Sequence, residues 1–334
     1  MERVMKKQGR FSRHITLFLL VLVFSGCTGR EPERIPQVHI ICGTKSFLGI
    51  AEGFTEKMME LGYEDGKNIG IFLHEGISGS EQEREILKRI AAEKADLVLA
   101  FPTGSAVAAK RTLDGSVPLV FGLGNIEGTG LVDTVHCPGG NTTGIRAPST
   151  QVVVKRFEYL LQLVPNAERI YTAYDPDYEA NKSVIPELEK AALREGIELV
   201  QARTGSVEEL AADLEGRDKG EVDIDGILIT ADSITQSVQG WQVLSQFAAR
   251  HSIPISGGSA VQAKSGAVLA YAVDFHKTGA MAALIADKIL KGTDTGTIPV
   301  ATADMTLLVN YRRAQELGLV LPQVLLNIAD QILR

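Results

Sequence analysis

Apolar and polar positions alternate along this chain in a way that predicts strand and helix in turn. Val38 to Cys42 is a short apolar run, and Phe47 to Leu61 then repeats its apolar residues at helical spacing until Gly62 closes the segment. Asn68 to His74 reads as a strand, Ser80 to Lys94 as a polar helix, Leu97 to Phe101 as a buried strand, Ser105 to Thr112 as a short helix, and Leu119 to Phe121 as a strand. Gly139-Gly140-Asn141 marks a turn. The alternation then starts again. Arg169 to Tyr174, Ile185 to Glu195, Glu198 to Ala202, Val207 to Leu214, Gly226 to Thr230, Ile234 to Arg250, Pro254 to Ser256 and Ala267 to Val273 follow in the same rhythm. Strands separated by helices of this length imply parallel pairing, because a parallel partner needs a crossover.

Two α/β sets of similar size, with no Pro-rich or Ser-rich linker between them, predict two doubly wound parallel-sheet lobes. The tail sets the connectivity: His276 to Lys291 is an apolar-faced helix, Ile298 to Val309 is extended and Tyr311 to Leu317 is a last helix. The expected division is residues 37–144 with 274–300 in one lobe and residues 145–273 with 301–334 in the other. Such a chain crosses between lobes three times, near Ile145, Asp274 and Ala301, and a hinge of that kind permits closure about a ligand.

Residues 1–26 read as a signal peptide and 27–36 as a tether. Arg3, Lys6, Lys7, Arg10 and Arg13 precede the apolar run Ile15 to Phe24, which is too short to span a bilayer comfortably. Ser25-Gly26-Cys27 resembles the bacterial lipoprotein signal, which predicts a lipid on Cys27; an ordinary signal peptide or an uncleaved anchor are the alternatives. Each places the remainder outside the cytoplasm. With 34 basic against 41 acidic residues the net charge is −7, so nucleic acid is not an expected partner. Cys42 and Cys137 are expected as free thiols, and the six histidines are scattered singly with no metal-ligand spacing.

Ligands of open parallel sheets sit beyond the carboxyl ends of strands. The candidates are therefore Lys45, Ser46 and Phe47 after the first strand, then Thr103, Gly104 and Ser105, then Asn125. The second set contributes Glu179, Asn181 and Ser183, then Asp232 and Ser233, then Gly258. Thr103 and Ser105 open a helix whose first N–H groups favour a carboxylate, and each serves equally well as an ordinary cap. Asp232 suits an ammonium or a cap. Phe47, Phe101, Tyr174 and Tyr178 are candidates for an apolar wall.

Several segments together carry a resemblance. Leu61-Gly62-Tyr63 with Asp65-Gly66-Lys67-Asn68-Ile69 comes first, then Pro138 to Gly144, Leu163-Val164-Pro165-Asn166-Ala167, Ile289-Leu290-Lys291-Gly292, and Asn310 ahead of Leu317-Gly318-Leu319. In this order, and across nearly all of residues 38–330, they resemble the ABC-transporter substrate-binding protein family of type I periplasmic-binding fold, which includes tryptophan and other aromatic amino-acid binders. The resemblance implies a monomeric, lipid-anchored protein that delivers a small solute to a permease and its ATPase, with no cofactor. It matches Asp232, the turn of Glu179, Asn181 and Ser183, and the acidic hinge residue Asp274 to family positions. Phe275 stands where that family often has tyrosine, and Gly122 to Glu127 where it often has Asp-Pro-Val.

An enzyme is disfavoured: no G-x-S-x-G pentapeptide is present, and the glycine-rich 139–144 stretch lacks the lysine of a phosphate loop. A ligand sensor of the same fold stays open beside transport, because both need the same clamp. The chemistry expected of the ligand is that of a zwitterionic amino acid.

Overall fold

The computed structural model describes residues 34–230 and 232–334; the expected signal segment and Cys27 lie outside them. The first set of elements is β1 (Gln37–Cys42), α1 (Leu48–Glu60), β2 (Gly70–Glu75), α2 (Glu81–Glu93), β3 (Leu97–Phe101), α3 (Thr103–Leu113), β4 (Leu119–Gly124) and β5 (Thr142–Arg146). Next come α4 (Ser149–Leu163), β6 (Arg169–Tyr174), α5 (Asn181–Glu195), β7 (Glu198–Arg203), α6 (Val207–Arg217), β8 (Gly226–Leu228), α7 (Val238–His251), β9 (Ile255–Gly257), α8 (Ala260–Lys264) and β10 (Leu269–Val273). The chain closes with α9 (Phe275–Leu290), β11 (Ala301–Thr302), β12 (Met305–Asn310), α10 (Tyr311–Glu316), α11 (Gln323–Ile328) and β13 (Gln331–Leu333).

These strands form two sheets. One is six-stranded in the order β11-β5-β4-β3-β1-β2, the other seven-stranded in the order β13-β12-β10-β9-β8-β6-β7. All pairings are parallel except β10 with β12. This is the two-lobed, doubly wound α/β architecture expected of the sequence.

Parallel strands covered on both faces should be apolar at every position, and β3 is fully buried along its length. Its alternation sorts the layers: Leu97, Leu99 and Phe101 join Ile50 and Phe54 of α1 and Ala282 and Ala286 of α9. Val98 and Ala100 face Leu87 and Ile90 of α2 and Ala106 and Ala109 of α3. In the second lobe Ile170 and Leu228 meet α4 and α5, whereas Tyr171 and Ile227 meet α6 and α7.

Two of the crossings fall slightly later than expected. Ala301 pairs with Ile145 and Thr302 with Arg146 inside the first sheet, so the chain leaves that sheet only after residues 146 and 302. The extended stretch after Ile298 is thereby two strands, one in each sheet. Helix α4 was not expected, because its β-branched run Val152-Val153-Val154 masks the helical period. The helix expected from Ile234 starts at Val238 instead, capped by the Ser237 side chain on Gly240 N–H, since Asp232 draws the preceding residues into turns. Cys42 and Cys137 are free thiols. His39 and His74, expected to be isolated, are stacked across β1 and β2 with Nδ1 of one 3.1 Å from Nε2 of the other. Among the described residues no helix is long and apolar enough to cross a membrane.

Candidate functional site

A cleft of about 500 Å³ opens between the two sheets, bordered by loops that follow β1, β3, β4 and β9 and by the segments that cross between lobes. Its position at strand carboxyl ends follows from topology: β1 has β2 on one side and β3 on the other, so neighbouring crossovers leave in opposite directions and a crevice remains.

Two helices point uncapped ends toward this region. Helices α3 and α4 both have proline at the N-cap, Pro102 and Pro148, and neither receives a side-chain cap, so their first-turn N–H groups stay available. A hydrogen-bond chain joins the two ends. Asn125 N–H donates to Thr103 Oγ1 at 3.0 Å, and Ser149 Oγ donates to Asn125 Oδ1 at 3.2 Å.

The apolar wall is built around the rings of Phe47 and Phe275, whose centroids are 4.9 Å apart and tilted by 35°. Leu123, Val152, Val273 and Leu308 extend it. Opposite stand polar groups of the second lobe: Tyr178, Gln236, Ser259 and the guanidinium of Arg156. Burial first, and then the Asp232 carboxylate, push the Tyr178 phenol upward and keep it a neutral donor. Asp274 caps α9 by accepting from Lys277 N–H at 3.0 Å, and its other oxygen accepts from Thr306 Oγ1 at 3.2 Å. A site of this kind, largely apolar with a few placed polar groups, can hold a small amphiphilic molecule. Among the described residues no cluster of three or more metal-ligating side chains occurs.

Of the residues expected from sequence, Ser46, Phe47, Thr103, Asn125, Tyr178, Gly258 and Asp274 border the cleft. Glu179 and Ser183 line an adjoining depression shared with Asn125 and Ser149, where Glu179 pairs with Lys182 at 2.6 Å. The remainder lie elsewhere. Lys45 is exposed and pairs with Glu75 at 3.3 Å. Phe101 is fully buried because its parity in β3 turns it into the core under α1. Gly104 is exposed on the first turn of α3 and does not border the cleft. Ser105 is buried against Ser78. Tyr174 points into the second core and donates to Gln201 Oε1 at 3.0 Å.

Asp232 is buried and accepts from Thr230 Oγ1 at 2.6 Å, Ile234 N–H at 2.9 Å, Thr235 N–H at 2.8 Å and Thr235 Oγ1 at 3.0 Å. Those donors use its lone pairs and organise the turn ahead of α7, so it does not border the cleft. Asn181 supports the same turn, donating to Asp175 O at 2.9 Å and reaching Asp232 at 3.5 Å. Ser233 is exposed outside the cleft.

Sequence reasoning missed Arg156, Ser149, Gln236 and Thr306. The signal for Arg156 is a charged residue inside the apolar stripe Val152, Val153, Phe157, Leu160 of α4. That signal is legible only once α4 is recognised as a helix.

Comparison with known proteins gives four findings. The family model described as ABC transporter substrate binding protein matches residues 37–333. A tyrosine-binding protein of Clostridioides difficile is 26% identical over 258 residues, covering 76% of this chain and 72% of the relative. The fold superposes on an ABC domain of Streptococcus pneumoniae in complex with L-Trp, with TM-score 0.74 and 22% identity over 90% of this chain and all of the other. It also superposes on the ligand-free, open structure of a Clostridium difficile substrate-binding protein with adhesive properties, with TM-score 0.74 and 23% identity over 90% of this chain and 99% of that one.

Proposed function

This chain belongs to the ABC transporter substrate-binding protein family, and from that premise we propose that it captures an amino acid with an aromatic or large apolar side chain between its lobes and delivers it to a membrane permease. The family is one of solute-binding proteins rather than enzymes and works outside the cytoplasm. The observation that carries the choice of ligand is the tilted pair Phe47 and Phe275 in a cleft that also holds Asp274. Two phenyl rings suit an apolar side chain, and the Asp274 carboxylate suits an ammonium. The names of the relatives point the same way, since one binds tyrosine and another was seen with L-Trp.

The reading includes a lipid anchor on Cys27, a tether to residue 36, and closure of the lobes over the solute through the three crossing segments. Thermal-shift screening over amino acids and small carboxylates, followed by calorimetry on any hit, tests the ligand class. A solute that binds only the folded state raises its melting temperature. Stabilisation by sugars or metal ions with none by amino acids overturns this reading. Mass spectrometry of the membrane-extracted protein should find an acylated Cys27 as first residue, and a mature form starting elsewhere removes the anchor.

A further inference from the structure

Arg156 stands out among the groups around the cleft. It is only 4% exposed, yet it borders the cleft from α4. Its guanidinium donates from Nε to Tyr271 O at 2.7 Å, from Nη1 to Ile229 O at 3.1 Å and to Thr230 O at 3.5 Å, and from Nη2 to Gly258 O at 3.1 Å. These acceptors sit just beyond the carboxyl ends of β8 and β9 and within β10. They orient the fork but carry no net charge, and among the described residues no carboxylate pairs with it. A guanidinium has five N–H donors, so among the described residues at least one Nη2 hydrogen has no acceptor. Burial lowers its pKa to about 10, so the group is charged at neutral pH. A buried cation without a counter-charge is costly.

The surroundings add to that imbalance. Lys264 also borders the cleft and has no ion pair among the described residues. Asp274, the carboxylate on the cleft, already has Lys277 Nζ at 3.7 Å. The two uncapped helix ends, α3 and α4, add partial positive charge. The chain as a whole carries −7, so an acidic protein concentrates uncompensated positive charge in its cleft. A Cβ at Gly258 would sit 3.3 Å from Nη1 and 3.1 Å from the Gln236 carboxamide carbon, so a larger residue there would crowd the guanidinium.

We propose that Arg156 is the specificity-determining residue of the cleft, and that its unbalanced charge makes a carboxylate on the solute obligatory. The inference rests on the cleft being the solute site and deepens that reading by naming the group every ligand must carry. Solutes that lack the carboxylate leave the guanidinium buried and unpaired, and are rejected for that reason.

The test is calorimetry on the mature protein with three probe sets. These are amino acids, their primary carboxamides, and aryl or alkyl carboxylates without the amino group. Wild type should prefer each acid over its carboxamide by about 100-fold or more, the scale of a desolvated charge pair. In Arg156→Gln that ratio should fall below about tenfold, while Arg156→Lys, which offers an ammonium without the planar fork, should give a ratio between those of wild type and Arg156→Gln. Circular dichroism checks the fold of both variants, and the wild-type ratio stands whether or not they fold. Equal binding of acids and carboxamides by wild type overturns the role of Arg156 while leaving amino-acid capture in place. So does an unchanged ratio in a folded Arg156→Gln. Binding of carboxylates but not of amino acids overturns the proposed function and supports this inference. No binding by any probe overturns both.

Discussion

A methyl group placed on Gly279 would lie 2.0 Å from the carbonyl oxygen of Ile50, and this contact fixes how closely α9 approaches α1. The approach is reciprocal, because a Cβ on Gly53 of α1 would lie 2.0 Å from the carbonyl oxygen of His276. The two helices come from distant parts of the sequence, and their N-terminal ends carry Phe47 and Phe275. Two glycines in helix interiors, each unfavourable on propensity alone, are thus what holds the ring pair together.

Gly279→Ala should therefore destabilise the protein by about 1 to 3 kcal/mol, the usual cost of overpacking. It should also weaken solute binding, because the rings move apart with the helices. Urea denaturation reads the first effect and calorimetry the second. An unchanged unfolding midpoint would show that the helices can separate freely.

Phe47→Ala and Phe275→Ala act on the wall itself. Both rings are half-buried, and losing one should cost about 1.5 to 3 kcal/mol of binding, or roughly 10- to 100-fold in affinity. The melting temperature of the empty protein should change little by comparison. Full affinity in both variants would move the apolar subsite elsewhere in the cleft.

Asp232→Ala should behave differently. Its oxygens satisfy buried donors of its own turn, so truncation leaves those donors unpaired and costs about 1 to 3 kcal/mol of stability. Asp232→Asn, of the same shape, should cost less. Wild-type stability combined with lost affinity would assign Asp232 to the ligand after all.

Acid should unfold the protein partly through β1 and β2. Burial, then His74, then Arg89 hold the His39 imidazole down to about 4, and burial followed by Arg89 lowers His74. Because the unfolded chain takes up protons first, the His39 contribution is complete above the unfolded value near 6.5 and is lost as pH falls through the folded value near 4. After discounting for solvent screening at the sheet edge, the loss from His39 is on the order of 1 to 2 kcal/mol. His39→Phe should flatten the fall in urea midpoint between neutral pH and that range, and a parallel fall in wild type and variant would assign it to carboxylates.

Solute should also make the molecule more compact. With three crossing segments the lobes can rotate together, so the radius of gyration from solution X-ray scattering should decrease on saturation. An identical curve with and without solute, in a protein shown to be open when empty, would count against closure.

Much of the architecture was legible before any coordinates. The runs Leu97 to Phe101 and Arg169 to Tyr174 coincide with β3 and β6, because strands buried on both faces are mostly apolar. The runs read as helices from Ser80 and from Val207 became α2 and α6, which the Ser80 and Ser206 side chains cap. Helix α4 was hidden by its valines, and with it Arg156.

What the sequence determined by itself was therefore periodicity, the alternation of strand and helix, and the loops that end near the cleft. Those properties depend on neighbours within one or two turns. Which side chains of those loops reach the cleft was decided only by tertiary structure. Phe47 and Phe275 meet because α1 and α9 approach through Gly53 and Gly279. Phe101 is withdrawn by strand parity, and Asp232 is consumed by donors of its own turn. Arg156 gains its place because α4 brings it against β10 and the loops that follow β8 and β9, whose carbonyls gather round the guanidinium. Contacts of that range are set by the packing of whole elements, and local sequence carries no record of it.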